Sequence, residues 1–184
     1  LPALCMHCEA PECERVCPTG ATHQRPDGIV QVDAQLCVGC KACMVACPYG
    51  ARYLYDERTT YFPGHVTPYE RRGYARHTAG TVTKCDFCAH RIDAGLARGL
   101  TPGADREATP ACVINCWCNA RVFGDLEDPA SEVSRLRASG QAIQLKPEQG
   151  TEPRVFYLSP GRGAVAYGLG QAAATGARRT VSAR

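Results

Sequence analysis

Hydrophobic and polar positions alternate in short bursts along this chain, and the elements they predict are correspondingly short. Thr22 to Gln24 and Ile29 to Val32 read as strands flanking Arg25-Pro26-Asp27-Gly28, a strong hairpin turn. Arg52 to Tyr55 and Arg121 to Phe123 read as further strands, and Arg154 to Leu158 as a last one. Lys41 to Ala46 and Ala111 to Asn115 read as short helices. Pro129 to Ser139 can form one amphipathic helix, with Val133 and Leu136 on its inner face. Asp56 to Thr83 has no clear periodicity and contains Pro63, Gly64, Pro68, Gly73 and Gly80, so it reads as an inserted loop. Its Arg58, Arg71, Arg72 and Arg76 either meet a partner or are simply solvated. Leu96 to Glu107 is a second loop. From Ser159 onward Gly, Ala and Arg dominate without pattern, which predicts a flexible or partner-wrapping tail. No apolar run approaches the roughly 20 residues of a spanning helix, so no direct membrane span is expected.

One local pattern occurs three times. Cys17-Pro18-Thr19-Gly20-Ala21-Thr22, Cys47-Pro48-Tyr49-Gly50-Ala51-Arg52 and Cys116-Trp117-Cys118-Asn119-Ala120-Arg121 align with one another. In each, the residue three past the leading cysteine is Gly or Asn, types that tolerate left-handed backbone angles. The repeating unit is a cysteine loop, a short helix, a turn and a strand.

Composition sharpens this picture. The 184 residues include thirteen cysteines but only four Phe and one Trp, so little of the interior can be ordinary aromatic core. Thiolate-held metal groups would have to organise much of the fold, because ligand binding then becomes folding free energy. A net charge of +3 is too mild to argue for nucleic acid or an anionic lipid surface. The chain opens on Leu1, four residues before its first cysteine and with no secretory signal pattern, which points to a missing N-terminal segment.

Twelve of the cysteines form three groups. The middle one, Cys37-x2-Cys40-x2-Cys43-x3-Cys47-Pro48, has the bacterial ferredoxin spacing for a 4Fe–4S cluster. The first, Cys5-x2-Cys8-x4-Cys13-x3-Cys17-Pro18, is the same run with two extra residues. The third is Cys85-x2-Cys88 followed by Cys112-x3-Cys116. A disulfide scaffold fits poorly, because the total is odd, close C-x2-C pairs are awkward bridges, and the Cys-Pro endings have no role in one. Zinc does not use the spacing of the first two groups, though it stays open for the third read alone.

Two such units about a pseudo-twofold make a two-cluster ferredoxin-like fold, in which the fourth cysteine of each run reaches the other cluster. Cluster 1 is then held by Cys5, Cys8, Cys13 and Cys47, and cluster 2 by Cys37, Cys40, Cys43 and Cys17. The fold class is α+β: a ferredoxin-like unit over 1–60, an inserted loop at 61–84, and a third cluster-binding half-unit at 85–126. A C-terminal helix and strand follow at 127–158, then a tail at 159–184. Lys41, Arg52, Lys84 and Arg91 lie beside candidate ligands and would favour the reduced cluster, with surface solvation the expectation for any single one. Gly20, Gly39 and Gly50 could aim N–H groups at sulfur. None of His7, His23, His65, His77 and His90 makes a spaced pair, and His7 is not expected to bind iron. No residue set resembles an acid–base or nucleophilic site, so the chemistry is one-electron hopping between clusters.

CMHCEAPECERVCPTGA, LCVGCKACMVACPYGARY, KCDFCAHR and ACVINCWCNARVFGD, spanning about Leu4 to Asp125, resemble the iron–sulfur subunits that accompany molybdopterin or tungstopterin oxidoreductases. The dimethyl sulfoxide, polysulfide, thiosulfate and tetrathionate reductases and the formate dehydrogenases have such subunits. The resemblance implies a non-catalytic relay between a molybdopterin or tungstopterin catalytic subunit and a membrane quinone-linked subunit or other acceptor. It places the chain at the periphery of the cytoplasmic membrane through its partners, the cytoplasmic face being favoured. The family has four cysteine groups and four clusters, the one not seen here lying N-terminal. Within that pattern Cys85, Cys88 and Cys112 would share a cluster with an upstream cysteine, and Cys116 would complete the upstream cluster. With the three groups seen, Cys85, Cys88, Cys112 and Cys116 hold cluster 3, giving three clusters on this chain. Trp117-Cys118 departs from the family's Pro-Thr, and Cys118 is expected to be a buried, inert thiol, the other reading being an alternative ligand.

Overall fold

A computed structural model describes residues 3–159 and 180–183. The chain divides into two compact units, Leu1–Met6 with Ala10–Asp86, and His7–Glu9 with Phe87–Arg184.

The first unit is built from two similar halves. Helix α1 (Glu12–Arg15) leads into the antiparallel hairpin of β1 (Thr22–Gln24) and β2 (Val30–Val32), with Thr22 opposite Val32. The predicted turn closes it: the Gly28 N–H donates to the Arg25 carbonyl at 2.8 Å, and Arg25 pairs with Asp27 at 2.8 Å. Helix α2 (Ala42–Ala46) follows, packed on α1, and then β3 (Tyr53–Tyr55). The segment read as an unstructured insertion contains two elements, helix α3 (Pro68–Tyr74) and strand β4 (Thr81–Thr83), which pairs antiparallel with β3. Periodicity missed α3 because it buries no residue. It is held instead by a capping box, in which the Glu70 N–H donates to the Thr67 hydroxyl at 3.3 Å and the Thr67 N–H donates to the Glu70 carboxylate at 2.7 Å. The apolar interior of this unit is small, chiefly Met6, Ala21, Ile29, Val30 and Val82.

The second unit begins with α4 (Ala89–Leu96), which sequence patterning did not predict. Its buried face is Ala89, Ile92 and Gly95, small residues that leave little hydrophobic signal, and Gly95 lies against Ala108. Helix α5 (Ala111–Ile114), strand β5 (Arg121–Gly124), helix α6 (Glu132–Ala138) and strands β6 (Ala142–Ile143) and β7 (Val155–Leu158) follow. As expected, α6 turns Val133 fully inward against Val122, Phe156 and Leu158, with Leu136 at the margin. Ser131 caps it, its hydroxyl accepting from the Ser134 N–H at 3.2 Å. Residues 180–183, read as part of a tail, form β8 (Thr180–Ala183), parallel to β5 and antiparallel to β7 in a sheet ordered β5-β8-β7-β6. The rest of the expected tail, 160–179 and 184, lies outside the described residues. Among the described residues no helix is long and apolar enough to cross a membrane.

Candidate metal centre

None of the thirteen cysteines is in a disulfide. The three C-x2-C loops share one backbone feature: the residue before the second cysteine is left-handed in each, His7 at φ 43°, Gly39 at φ 65° and Phe87 at φ 55°. Glycine accepts this angle freely, whereas other residues lose roughly 1–2 kcal/mol to it. Burial compensates here, since the His7 and Phe87 rings stack at 3.6 Å between centroids and Phe123 meets Phe87 edge-on at 5.4 Å. His7 is thus a fully buried packing residue. Left-handed residues in such loops turn successive N–H groups toward one concave side, an arrangement that suits anions. The turns after the last cysteine of each group also behave as the repeat predicts, with Gly20 at φ 67°, Gly50 at φ 60° and Asn119 at φ 47°.

Backbone N–H groups reach sulfur in every group, while those of Gly20 and Gly50 donate to the Cys17 and Cys47 carbonyls. The Thr22 N–H donates to Cys17 Sγ at 3.4 Å, Val82 to Cys37 Sγ at 3.4 Å, and Ala120 to Cys116 Sγ at 3.2 Å. Burial pushes the Cys17 thiol up, but hydrogen bonds from Thr22 and Thr19 outweigh it and bring the group down to about 7. The Ala120 N–H likewise lowers Cys116. Donors that favour the thiolate also favour metal ligation, because only the thiolate binds iron.

Arg52 is not a surface cation. It is 5 % exposed, with Nη1 donating to the Thr22 hydroxyl at 3.0 Å and Nη2 to Cys13 Sγ at 3.0 Å. Cys43 is a second thiol whose charge acts on it. Burial alone would lower the guanidinium, but Cys13 and Cys43 hold its proton and raise it further. Cys13 is raised by burial against the opposing pull of Arg52, and the neighbouring charges of Cys5 and Cys47 push the same way. Cys47 therefore acts on Cys13 from the far end of the next cysteine run. Lys84 is also buried, its ammonium donating to the carbonyls of Val30 and, at 2.9 Å, Cys85. The expectation of surface solvation is corrected for both cations. The repeat held the signal: Arg52 aligns with Thr22, the residue it binds. Arg91 is half-buried and braces the second unit through the carbonyls of Thr109 and Arg106, each at 2.9 Å.

Cys85 belongs to the first unit, and Cys88, Cys112 and Cys116 to the second; Cys8 joins the second unit while Cys5, Cys13, Cys17, Cys37, Cys40, Cys43 and Cys47 lie in the first. Cys118 is exposed, not buried as expected, and Trp117 beside it is 99 % exposed. The turn places both side chains outward, where Pro and Thr or Tyr stand in the other repeats. Among the described residues no three His, Cys, Asp or Glu side chains converge on a single-ion position. The donor set fits iron–sulfur clusters on other grounds. A buried guanidinium whose partners are sulfur and hydroxyl calls for thiolates, since buried charge requires an opposite charge. Soft thiolates in N–H-lined loops are the ligands 4Fe–4S clusters take.

These loops and sulfur contacts define a ferredoxin-type, thiolate-ligated iron–sulfur protein. Residues 1–66 match the family described as a 4Fe-4S dicluster domain. The chain is 39 % identical to the arsenate respiratory reductase iron-sulfur subunit of a Shewanella species, over 86 % of this chain and 74 % of that one. It is 37 % identical to a polysulfide reductase chain of Wolinella succinogenes, over 88 % and 68 %. It is 43 % identical to the putative dimethyl sulfoxide reductase iron-sulfur subunit of Halobacterium salinarum, over 88 % of this chain and 57 % of that one. The chain spans little more than half the length of several relatives it matches. It belongs to the family of iron–sulfur electron-transfer subunits of oxidoreductase complexes.

Proposed function

We propose that this chain passes single electrons through three 4Fe–4S clusters, between a molybdopterin or tungstopterin catalytic subunit and a membrane quinone-linked subunit or other acceptor. The clusters supply the redox chemistry, each exchanging one electron with no bond made or broken in the polypeptide. The chain supplies ligands and local field. Cys5, Cys8, Cys13 and Cys47 hold cluster 1; Cys37, Cys40, Cys43 and Cys17 hold cluster 2; Cys85, Cys88, Cys112 and Cys116 hold cluster 3, unless an upstream group shares it. The observation that carries this reading is the buried Arg52 guanidinium donating to Cys13 Sγ at 3.0 Å, an interior charge that calls for anionic cluster sulfur; the crossed pairing follows the spacing of the two cysteine runs. Names of relatives support the partners: a tetrathionate reductase subunit of Salmonella typhimurium is 43 % identical, and the menaquinone reductase cluster-binding subunit of Nitratidesulfovibrio vulgaris is 37 % identical. The subunit is peripheral to the cytoplasmic membrane through those partners.

The test is anaerobic purification of the native assembly with analysis of iron, acid-labile sulfide and companion polypeptides. About twelve irons on this chain and a large pterin-containing partner are expected. Zinc without iron would overturn the relay, and full iron with no stable partner would make it a free-standing polyferredoxin.

A further inference from the structure

The internal repeat pairs Thr22 with Arg52 and Cys13 with Cys43, the third cysteines of their runs. Arg52 Nη1 donates to Thr22, its own repeat counterpart, at 3.0 Å. Two equivalent residues that bond to each other lie at the axis relating the halves. From that midpoint the same guanidinium donates through Nη2 to Cys13 at 3.0 Å, and the buried Cys43 of the other half is a second thiol whose charge acts on it. The first half carries Thr22 here, so the pair of halves holds a single cation where strict symmetry would place two or none.

We infer that Arg52 is a shared potential-setting residue, one buried positive charge that donates to a ligand of the first cluster from the midpoint between the two halves, which makes both of the first two clusters easier to reduce together. Hydrogen bonds to cluster sulfur and net local charge are two of the levers that set such potentials. A fixed guanidinium supplies both, and its planar fork lets separate N–H groups serve separate acceptors. Each cluster gains one electron on reduction, and a cation between them favours that electron on either side. It also weakens the repulsion between two reduced neighbours, which eases one-electron transfer from one to the other. The inference rests on the proposed clusters but not on their crossing, because Cys13 and Cys43 fall to different clusters under either pairing.

The test is a redox titration of the holo-protein, monitored by electron paramagnetic resonance, with the two signals assigned as those lost in Cys13→Ser and Cys43→Ser. Arg52→Gln should shift both reduction equilibria toward the oxidised form by about tenfold, or about 59 mV for a one-electron couple. Arg52→Lys, keeping charge but losing the fork, should shift both in the same direction by less, and the third cluster should not move. A shift confined to one signal, no shift at full iron content, or Arg52→Lys equal to Arg52→Gln would overturn the inference. Should Arg52→Gln fail to load iron, Arg52→Lys decides, since a paired shift is expected and an unpaired or absent one refutes it. A wild-type protein without iron would instead sink the proposed function itself.

Discussion

Gly39 separates two proposed ligands of the second cluster, and Gly39→Ala isolates what its missing side chain does. The residue is left-handed at φ 65°, and a Cβ there would run into the carbonyl oxygen of Gly80. Gly80 cannot easily move, because its N–H donates to the Tyr55 carbonyl at 2.7 Å where the β3–β4 hairpin closes. Gly50 is the natural control: its φ is 60°, but a Cβ there meets nothing within 4 Å. Alanine at either position carries the left-handed strain, roughly 1–2 kcal/mol. At Gly39 the overlap adds about 1–3 kcal/mol, typical of forcing extra atoms into packed structure. Gly50→Ala should therefore cost about 1–2 kcal/mol and Gly39→Ala about 2–5 kcal/mol. The difference corresponds to roughly 5- to 150-fold more of the detached loop. Detachment would break the 3.4 Å bond from the Val82 N–H to Cys37 Sγ. The assay is iron release to a chelator, alongside hydrogen exchange of the Val82 amide, for both variants. Equal iron release from Gly39→Ala and Gly50→Ala would refute the reasoning.

Four other outcomes are expected. Cys17→Ser should alter the resonance of the cluster on Cys37, Cys40 and Cys43 and spare that on Cys5, Cys8 and Cys13; the reverse result would break the crossed assignment. Thr67→Ala should loosen α3 by about 1 kcal/mol, the usual worth of an N-cap, and speed proteolysis within 60–78. The Thr67 hydroxyl and N–H hold Glu70 below its ordinary 4.5, so its stabilising contribution is complete above that pH and lost as pH falls through the lowered value; hydrogen exchange of α3 should show this loss, and Glu70→Gln should abolish it. Val133→Ala removes two methyl groups from a fully buried site between β5 and β7, and should cost about 2–3 kcal/mol once the cavity is included, read as a lowered thermal midpoint.

The chemistry and much of the local structure are legible in the order of residues alone. Cysteine spacing is set by the reach of thiolates around a cluster, so it survives in one dimension, as do the hairpin at Arg25 to Gly28 and the left-handed turns at Gly20, Gly50 and Asn119. Helix α3 was legible in principle from Thr67-Pro68-Tyr69-Glu70, but it has no apolar stripe for periodicity to find. Three-dimensional packing settled what no spacing encodes. Burial made Arg52 and Lys84 interior cations, when the same residues in another packing would be solvated. Chain reversal put Cys118 and Trp117 outside, and stacked His7 on Phe87 so that two non-glycine residues could hold left-handed angles. The sheet completed by residues 180–183 depends on pairing between strands distant in sequence, and such pairing leaves no local mark in Thr180-Val181-Ser182-Ala183.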